Sequence, residues 1–345
     1  MIESRARRRS ATAGALFSPG VDPFRRCRYA PPDVTSPPAF HDPVLESRVV
    51  ELLGGAHLVF DGTLGGGGHT AALLARGATL NAVDRDAVAR EEAARRLAEH
   101  IESGRLTIIA GTFADVAESD ALGAEPFDGV LLDLGVSSHQ FDDVARGFTF
   151  REGAPLDMRM QSDGAAPSQT AAAWLNTADE RELARVFAEY GDEPRARRLA
   201  HVIAARRANR PLETSDDLVG AIRAALGPRS GAPEFARLFQ AVRIEVNDEL
   251  GELARALPAL RDRLAPGGVM VVISYHSGED RLVKRAFQEW SRGCICPPRQ
   301  PICTCSHVAL GAMLTKKPVE ADAGEVDRNP RARSAKLRAW RRAPA

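Results

Sequence analysis

The sequence contains no uninterrupted apolar segment of the about 18 residues that a membrane-spanning helix requires, so it predicts no membrane span and no membrane partner. It has no excess of charge of either sign, because 46 lysines and arginines are matched by 46 aspartates and glutamates. Cysteine is scarce, with five residues, and the arginine-rich N-terminus lacks the apolar segment of a secretory signal peptide. We therefore expect a reducing, cytoplasmic environment rather than a secreted, disulfide-bonded protein.

What the sequence does contain is enough apolar material for a core and an uneven distribution of charge. Its 345 residues are 44% apolar, which suits two domains or one domain with a large insertion. Seven arginines lie in the first 28 residues against two acids, and the last 18 residues contain seven basic residues and no acid. Basic ends on a neutral body favour a polyanionic partner, although solvated disordered tails would have the same composition.

Residues 1–40 are rich in Arg, Pro and Ser without hydrophobic periodicity, which predicts a disordered N-terminal extension. A mitochondrial transit peptide is a second interpretation, but Glu3, Asp22, Asp33 and the prolines count against it. A start codon assigned too far upstream would also explain this segment.

The most informative stretch is the glycine-rich segment that follows the apolar run 58–60. Asp61 ends this run, glycines occupy positions 65–68, and His69 precedes an apolar, helix-like run at 71–74. A strand, a glycine loop and a helix in this order form the opening turn of a nucleotide-binding α/β unit. Glycine suits such a loop because it adopts positive φ and lets the backbone approach a ligand. A glycine-rich surface turn without a ligand is the alternative.

The spacing of the glycines bears on which ligand the loop would bind. A dinucleotide fingerprint requires glycines spaced G-x-G-x-x-G, and here Gly65 and Gly67 fit its first two positions while Thr70 occupies the third. The arrangement Asp61-x-x-x-Gly65-x-Gly67 instead resembles the first motif of S-adenosylmethionine (SAM) methyltransferases. A nicotinamide dehydrogenase therefore ranks well below a SAM-binding enzyme.

The remainder of the chain reads as an open α/β sheet with one interruption. Four further strands are expected, at residues 79–83, 106–110, 127–133 and 269–274. Asp84 follows the first of these, where such units place an acid that binds ribose hydroxyls, or else a helix N-cap. Phe113, in the loop after the next strand, would lie against an adenine or belong to the core. The unbroken Val and Leu of 127–133 indicate a strand covered on both faces of a parallel sheet.

Helices are expected on both sides of an inserted segment. A charged helix is predicted at 86–102, and residues 141–235 begin irregularly and then show helical spacing, which indicates a helical insertion. One long helix is expected at 235–264, followed by a turn at 266–268. Residues 306–345 should supply one or two final strands and a basic tail.

Six ordered motifs make the chain similar to one known family. They are Asp-Gly-Thr-Leu-Gly-Gly-Gly-Gly-His (61–69), Asp-Gly-Val-Leu-Leu-Asp-Leu-Gly-Val-Ser-Ser-His-Gln (128–140), Pro-Leu-Asp-Met-Arg-Met (155–160), Phe-Gln-Ala-Val-Arg-Ile-Glu-Val-Asn-Asp-Glu-Leu (239–250), Ile-Ser-Tyr-His-Ser-Gly-Glu-Asp-Arg (273–281) and Asn-Pro-Arg-Ala-Arg-Ser-Ala-Lys-Leu-Arg (329–338). Together they resemble the bacterial 16S ribosomal RNA cytosine-N4 methyltransferases, the RsmH or MraW family, over about residues 40–340.

The resemblance implies a class I SAM-dependent methyltransferase, with a Rossmann-like α/β sheet formed by residues 41–140 and 236–345 and a helical, RNA-facing insertion at 141–235. It also implies methylation of the exocyclic N4 amine of a cytidine in 16S rRNA, position 1402, in the decoding centre of the small ribosomal subunit. The family's SAM contacts map onto Gly67, Gly68, His69, Asp84, Phe113, Asp133 and Gln140. A homodimer is compatible with the sequence.

The catalytic residue is open between two acids. Cytosine's amine is a poor nucleophile because its lone pair is delocalised into the ring, and a carboxylate that accepts its N–H would localise that pair. Many amino-methyltransferases carry Asp/Asn-Pro-Pro-Tyr for this purpose, but this chain departs from that pattern at 133–136. Asp133 and Asp157 are the candidates, unless the cofactor occupies Asp133 and Arg159 pairs with Asp157. His139 and His276 are less favoured as bases, because the proton can leave to water.

Two further sets of residues have a candidate role. Two Cys-x-Cys pairs surround a proline-rich turn, and together they could bind a structural zinc ion through Cys294, Cys296, Cys303 and Cys305. Free thiols and a redox disulfide are the alternatives to this metal site. Contacts with RNA phosphates, or else a solvated charged face, are expected at Arg159, Arg243, Arg331, Arg333 and Lys336.

Two rival functions differ from the favoured one. A SAM enzyme that acts on DNA, protein or a small molecule would lack a reason for the insertion and the basic end. A catalytically silent RNA-binding assembly factor would keep the fold without binding SAM.

Overall fold

The computed structural model describes residues 43–161, 169–297, 300 and 302–345, and for Ser138 and His139 it describes the backbone alone. The predicted disordered extension 1–40 lies outside these residues. Within the described ranges, none of the helices has the length and apolar character needed to cross a bilayer.

Seven strands of the described chain form one sheet in the order β3-β2-β1-β4-β5-β7-β6. The first five strands of this order are parallel, whereas β7 runs antiparallel to both β5 and β6. The strands are β1 Leu58–Asp61, β2 Thr79–Asp84, β3 Leu106–Ala110, β4 Phe127–Asp133, β5 Leu264–Ser274, β6 Gly311–Met313 and β7 Lys336–Arg342. The order reverses between β1 and β4, which is where open α/β sheets bind their ligands.

Helices cover both faces of this sheet and form a separate cluster in the middle of the chain. In chain order they are α1 Glu46–Leu53, α2 Gly68–Leu74, α3 Ala87–Arg96, α4 Ala98–Glu102, α5 Phe113–Glu118, α6 Ser138–Asp142, α7 Ala171–Thr177, α8 Glu180–Glu189, α9 Ala196–Arg207, α10 Ser215–Leu226, α11 Ala232–Asn247, α12 Glu249–Arg263, α13 Ser277–Trp290 and α14 Ala323–Arg328.

Strand β4 shows why its sequence lacks alternation. Leu131 packs with α1 and α2 in the apolar cluster on one face, while Val130 and Leu132 pack with α12 and α13 in the cluster on the other face. All three side chains are fully buried, so the middle of this strand has no solvent-facing side that could carry a polar residue. The sequence prediction of a doubly covered parallel strand is confirmed.

The helical segment between β4 and β5 has an apolar core of its own. This core runs from Phe148 to Val242 and is built mainly from α7, α8, α9, α10 and α11. It therefore extends beyond residue 235, because Leu238, Phe239 and Ala241 of α11 belong to this core and not to the apolar clusters on the sheet.

The predicted single helix 235–264 is wrong, since Asp248 divides it into α11 and α12. Asp248 adopts the left-handed conformation, with φ of 49° and ψ of 37°, at the N-cap position of α12. Aspartate tolerates this conformation better than most residues, and apolar spacing that continues on both sides conceals the break. The predicted helix 86–102 is likewise interrupted, at Leu97, between α3 and α4.

Three other local predictions need correction. Residues 266–268 lie within β5 as a bulge rather than in a turn before it, because the pairing register with β4 shifts here and Gly267 has φ of 81°. Phe113 begins α5 instead of lying in a loop, and Thr112 caps that helix. The basic end is not a tail: it forms β7, in which Arg338 is buried and pairs with Asp280 at 2.7 Å.

Candidate active site

Asp61 ends β1 and binds residues on both sides of the glycine loop. Its carboxylate accepts hydrogen bonds from the Thr70 hydroxyl at 2.6 Å and the Thr63 backbone N–H at 3.1 Å. Burial raises the pKa of Asp61, and the two donors oppose this shift. Because the side chain is buried and both oxygens face these donors, Asp61 shapes the loop and does not present itself to a ligand.

Asp84 ends β2, next to the loop. Its carboxylate accepts the Gly65 N–H at 2.7 Å and the Asp86 N–H at 2.8 Å, one on each oxygen. Desolvation raises the pKa of Asp84, while these two backbone donors lower it. Each carboxylate oxygen has a second lone pair, so the residue can hold the loop and still accept a ribose hydroxyl.

The glycines of the loop are required at particular positions. Gly65 and Gly67 have φ of 49° and 76°, a region in which other residues are strained. A Cβ at Gly65 would meet nothing closer than 4.0 Å, whereas one at Gly67 would lie 3.0 Å from Leu97. Gly68, the first residue of α2, packs against Pro43, with 3.2 Å between the ring and a built Cβ. The loop thus offers a bare backbone at the start of a helix.

Asp133 ends β4 and is the centre of a small polar group. Its Oδ1 accepts a 2.8 Å hydrogen bond from the Tyr275 hydroxyl, and its Oδ2 lies 3.4 Å from Nε2 of His69. Its backbone N–H donates to the Thr63 hydroxyl at 2.6 Å, which joins β4 to the loop after β1. Burial, followed by the nearby Asp133 carboxylate, holds the pKa of Tyr275 well above 10, so the phenol is a donor.

Tyr275 is a residue that the sequence did not single out. It lies in the motif 273–281 at the end of β5, next to the candidate base His276. Tyr275 follows β5, which is parallel and adjacent to β4, so its side chain lies at the same edge of the sheet as Asp133. This placement at the carboxyl end of a strand is the sequence feature that indicates Tyr275 as a site residue.

His69 lies in the first turn of α2 and is buried. Neither of its ring nitrogens has a hydrogen-bond partner of good geometry within the protein, although Nε2 approaches Asp133. Burial disfavours the imidazolium, but the carboxylates of Asp133 and Asp61 prevail and raise the pKa of His69. A buried ring with two unsatisfied nitrogens at the loop is an arrangement that a bound polar ligand would complete.

Phe113 is half-buried at the start of α5, on the side of the sheet opposite α2. Its Cβ would lie 2.9 Å from a Cβ built on Gly62, and its ring packs against the apolar cluster that includes Val83. The ring therefore contributes to the core, and the part that remains exposed is what an adenine could contact.

Gln140 is buried and its amide is used by the protein itself. Its Nε2 donates to Asp86 at 2.9 Å and to the Met160 carbonyl at 3.0 Å, while its Oε1 accepts the Ser137 N–H at 3.0 Å. Arg146 donates to the same two acceptors, at 3.0 and 2.7 Å. Gln140 thus ties the loop after β4 to α3 and to the insertion.

Asp157 lies in the irregular segment that leads into the insertion and is engaged by Arg159. Two side-chain hydrogen bonds of 2.9 and 2.7 Å and one from the Arg159 backbone at 3.1 Å occupy its carboxylate. Partial burial raises the pKa of Asp157, but Arg159 outweighs it and lowers the pKa overall. The ion-pair interpretation of Asp157 therefore describes this structure.

The two histidines considered as bases differ in what the structure says of them. His276 caps α13, with its Nε2 3.2 Å from Glu279 in a buried pair. The side chain of His139 lies outside the described residues.

The candidate phosphate ligands are divided between the interior and the surface. Arg243 points inward and pairs with Glu249 at 2.7 and 2.8 Å, so its guanidinium does not face a phosphate. Arg331 is half-buried and pairs with the last residue of α6 at 3.1 Å. Arg333 is exposed and Lys336 is half-buried.

The four cysteines lie far along the chain from these residues, in the segment between α13 and β6. Their sulfurs all lie within 4.8 Å of one another. None of them forms a disulfide.

The sequence matches known proteins over nearly its whole length. The model of the MraW methylase family matches residues 38–343. A protein from Gemmatimonas aurantiaca named Ribosomal RNA small subunit methyltransferase H is 59% identical over 304 residues, which are 88% of this chain and 96% of the relative. A protein of the same name from Heliobacterium modesticaldum is 48% identical over 314 residues, which are 87% of this chain and 97% of the relative.

The chain belongs to the MraW methylase family. The family predicted from the six motifs is thereby confirmed, and the fold is the expected class I SAM-dependent methyltransferase sheet of Rossmann-like type. Solved structures are more distant. An rRNA methylase from Streptococcus thermophilus has 11% identity and a TM-score of 0.38 over 86% of this chain and 93% of its own. A SAM-dependent O-methyltransferase from Thermotoga maritima has 10% identity and a TM-score of 0.36 over 87% and 65%. Likeness at that level has no bearing on function.

Proposed function

We propose that this MraW-family chain transfers a methyl group from SAM to the exocyclic N4 amine of a cytidine in 16S rRNA, at position 1402 in the decoding centre. The observation that carries the proposal is the polar group at the ends of β1, β2 and β4. Here a bare glycine loop, a ribose-type acid and the Asp133 carboxylate share one edge of the sheet. The substrate is supported by the rRNA small subunit that the relatives' names specify. The cytoplasm, where small subunits are assembled in bacteria, is the proposed location.

The chain's own residues fit SAM in three respects. The backbone at Gly65 has open space where a Cβ would stand, and Gly67 and Gly68 present the start of α2 without side chains. Asp84 retains lone pairs for the two ribose hydroxyls. His69 has buried nitrogens that the protein leaves unsatisfied. Phe113 would border the adenine, and Gln140 would act mainly by holding the loop that encloses it.

When bound, SAM supplies an electrophilic methyl group on a sulfonium. The chemical task of the protein is then to orient the cytosine amine in line and to improve its nucleophilicity. A carboxylate oxygen that accepts one amine N–H localises the nitrogen lone pair opposite that bond. Bound SAM would supply the methyl group to this nitrogen with loss of the sulfur–methyl bond, and the displaced amine proton would leave to water.

Of the two acids, Asp133 suits the acceptor role. It is partly exposed, at 23%, and each oxygen has one protein neighbour, so lone pairs remain for an N–H donor. Tyr275 fixes the rotation of the carboxylate by its hydrogen bond. Asp157 has three hydrogen bonds from Arg159 instead, so this acid would position the segment near the site.

The insertion has a surface that suits the phosphates of an RNA. Helix α9 contains no acid, and its Arg197 and Arg198 are exposed and form no ion pair with any other described residue. Arg195 and Arg206 extend the same basic stretch at its two ends. Such contacts hold a duplex or loop in register without reading its sequence.

The experiment compares small-subunit rRNA from cells that carry and cells that lack this gene, by mass mapping of nuclease fragments. N4-methylcytidine at the proposed position should be absent from the second sample and should return when the gene is restored. Purified unmethylated 30S subunits should be methylated in vitro, at a rate about 10- to 150-fold lower for Asp133→Asn, which loses the charged acceptor, and within about threefold of wild type for Asp157→Asn.

Three outcomes would contradict the proposal. The same N4-methylcytidine in both rRNA samples would refute the substrate. Folded protein that binds rRNA but gives no heat with SAM would favour the silent assembly factor, and methylation of DNA in preference to 30S subunits would favour another SAM enzyme.

A further inference from the structure

The segment between α13 and β6 has no apolar core to hold it in shape. Its two ends meet where the Leu310 N–H donates to the Trp290 carbonyl at 2.8 Å. In the described residues between Trp290 and Ala332, no hydrophobic side chain is buried, and Ile295 and Ile302 are 61% and 74% exposed. A protruding loop of this kind usually needs a covalent or metal cross-link to keep one conformation.

The side chains that do converge in this loop are four thiols. The Sγ atom of Cys303 lies 3.5 Å from that of Cys294, 3.9 Å from that of Cys296 and 3.6 Å from that of Cys305. Cys305 and Cys294 are 3.8 Å apart. All six pairs fall within 4.8 Å, so the sulfurs form a compact tetrahedron rather than a row.

These separations correspond to one chemical arrangement. Four sulfurs about 2.3 Å from a central zinc ion stand about 3.8 Å apart in an ideal tetrahedron. A disulfide would require about 2.05 Å, and none of the pairs approaches it. We propose that Cys294, Cys296, Cys303 and Cys305 bind one Zn²⁺ ion through four thiolates and thereby fix this loop.

The backbone around the sulfurs supports this assignment. Ile295 and Thr304 are the central residues of the two Cys-x-Cys turns, and each donates its backbone N–H to a sulfur of the opposite turn. The Ile295 N–H donates to Cys305 and the Thr304 N–H donates to Cys296, both at 3.4 Å. The Cys296 N–H donates to Cys294 at 3.4 Å. Hydrogen bonds of this kind orient metal-bound thiolates and stabilise their negative charge. The two short Cys-x-Cys turns therefore face each other as two arms of one site.

A single ion fits better than an iron–sulfur cluster. In such a cluster the cysteines bind different iron atoms, which spreads some sulfurs further apart than the compact group seen here. Tetrahedral ligation by four thiolates with no open position also identifies a structural rather than a catalytic site. The inference concerns the loop and is independent of the proposed function, because the thiols take no part in the methyl-transfer site.

The test measures the metal content of the full chain, expressed in zinc-supplemented medium and purified without chelator. Elemental analysis by mass spectrometry should give about one zinc per chain, and Cys294→Ser or Cys303→Ser should bring this below about 0.2. The matched control is Cys27→Ser, since the fifth cysteine lies outside the described residues and outside the four-thiol group; it should retain the full zinc content. Limited proteolysis should cleave within 291–310 in the zinc-free variants and spare this loop in the control.

A second measurement does not depend on the folding of cysteine variants. In the wild-type protein, a chelator should increase by four the number of thiols per chain that react rapidly with a thiol reagent, because zinc is released from the four cysteines. Wild type with less than about 0.2 equivalents of zinc would overturn the proposal. So would one equivalent or more of iron in its place, masses under non-reducing conditions that indicate disulfides between these four residues, or an equal loss of zinc in the Cys27→Ser control.

Discussion

Replacing Asp84 by alanine should weaken SAM binding and also lower the free energy of unfolding. The structure allows these two effects to be measured separately. The carboxylate accepts two backbone N–H groups, from Gly65 at 2.7 Å and Asp86 at 2.8 Å. In the proposed complex it also accepts ribose hydroxyls. A hydrogen bond to a charged group contributes about 1.5–3 kcal/mol, so loss of one to the ribose should raise the Kd for SAM about 10- to 150-fold. Loosening of Gly65 should add to this effect.

The chain contains a matched control for the structural part of this change. Asp128 also accepts two backbone N–H groups, from His57 and Leu58, both at 3.0 Å, at the opposite end of the sheet. Asp128→Ala should therefore destabilise the fold by a comparable amount, while its Kd for SAM stays within about threefold of wild type. Asp84→Asn, which keeps one acceptor oxygen, should lie between wild type and Asp84→Ala.

The assay is isothermal titration calorimetry with SAM and with its demethylated product, at a temperature where all variants are folded by near-ultraviolet circular dichroism. Urea titrations of the same samples give the stability term. The reasoning is refuted should Asp84→Ala bind SAM as tightly as the wild-type protein does. It is also refuted should the weaker binding of Asp84→Ala be matched by Asp128→Ala, because a general loss of stability would then explain it.

Three other changes have defined outcomes. Gly67→Ala should weaken SAM binding and cost about 1–2 kcal/mol in unfolding experiments because of its positive φ, whereas Gly77→Ala, with φ of 92° and nothing within 4 Å of a Cβ, should cost stability alone and leave the Kd for SAM unchanged. Tyr275→Phe removes the hydrogen bond to Asp133 and should lower kcat about 3- to 10-fold on 30S subunits with little change in the Kd for SAM, so an unaltered kcat would count against the orienting role. Glu279 is buried, and although desolvation raises its pKa, the histidine and backbone donors around it prevail and lower that pKa. Its contribution to stability is therefore present above its unfolded pKa of about 4.3 and is lost as pH falls through the lower folded value. Urea midpoints between pH 6 and 3 should fall more steeply for wild type than for Glu279→Gln.

Some of this site could be read from the sequence because local patterns determine it. The apolar runs before Asp61, Asp84 and Asp133 end in acids, and parallel strands bring their carboxyl ends to one edge, so the three acids were placed correctly at that edge. Positive φ at Gly65 and Gly67 is likewise a local property that the glycine run indicates.

Other features depend on tertiary contacts that no local pattern records. Tyr275 contacts Asp133 across 142 positions of the sequence, and Arg243 is largely shielded and pairs with Glu249, which follows the break at Asp248. A run of residues with unbroken helical periodicity gives no sign of such a break. The pairing of Asp157 with Arg159 is local, and for that reason the sequence already offered it as an alternative.

The bonds of Gln140 give a physical reason for treating cofactor binding and the insertion as one system. Asp84 accepts the N–H of Asp86, and the carboxylate of Asp86 in turn accepts both Gln140 and Arg146. Both donors also bond to the carbonyl of Met160, in the segment that enters the insertion.

Buried polar networks whose members are satisfied hold one geometry, because breaking any bond leaves a desolvated group unpaired. The Asn247 side chain extends this network, since it accepts the Met160 N–H at 2.8 Å and donates to the Met158 carbonyl at 2.8 Å. A shift of the insertion would therefore have to break the hydrogen bonds that Gln140 and Arg146 donate to Asp86. The backbone N–H of Asp86 in turn donates to Asp84, the acid proposed to bind the ribose. For this reason we expect Gln140 to affect SAM binding by positioning this network, because its amide has no free donor to offer a ligand.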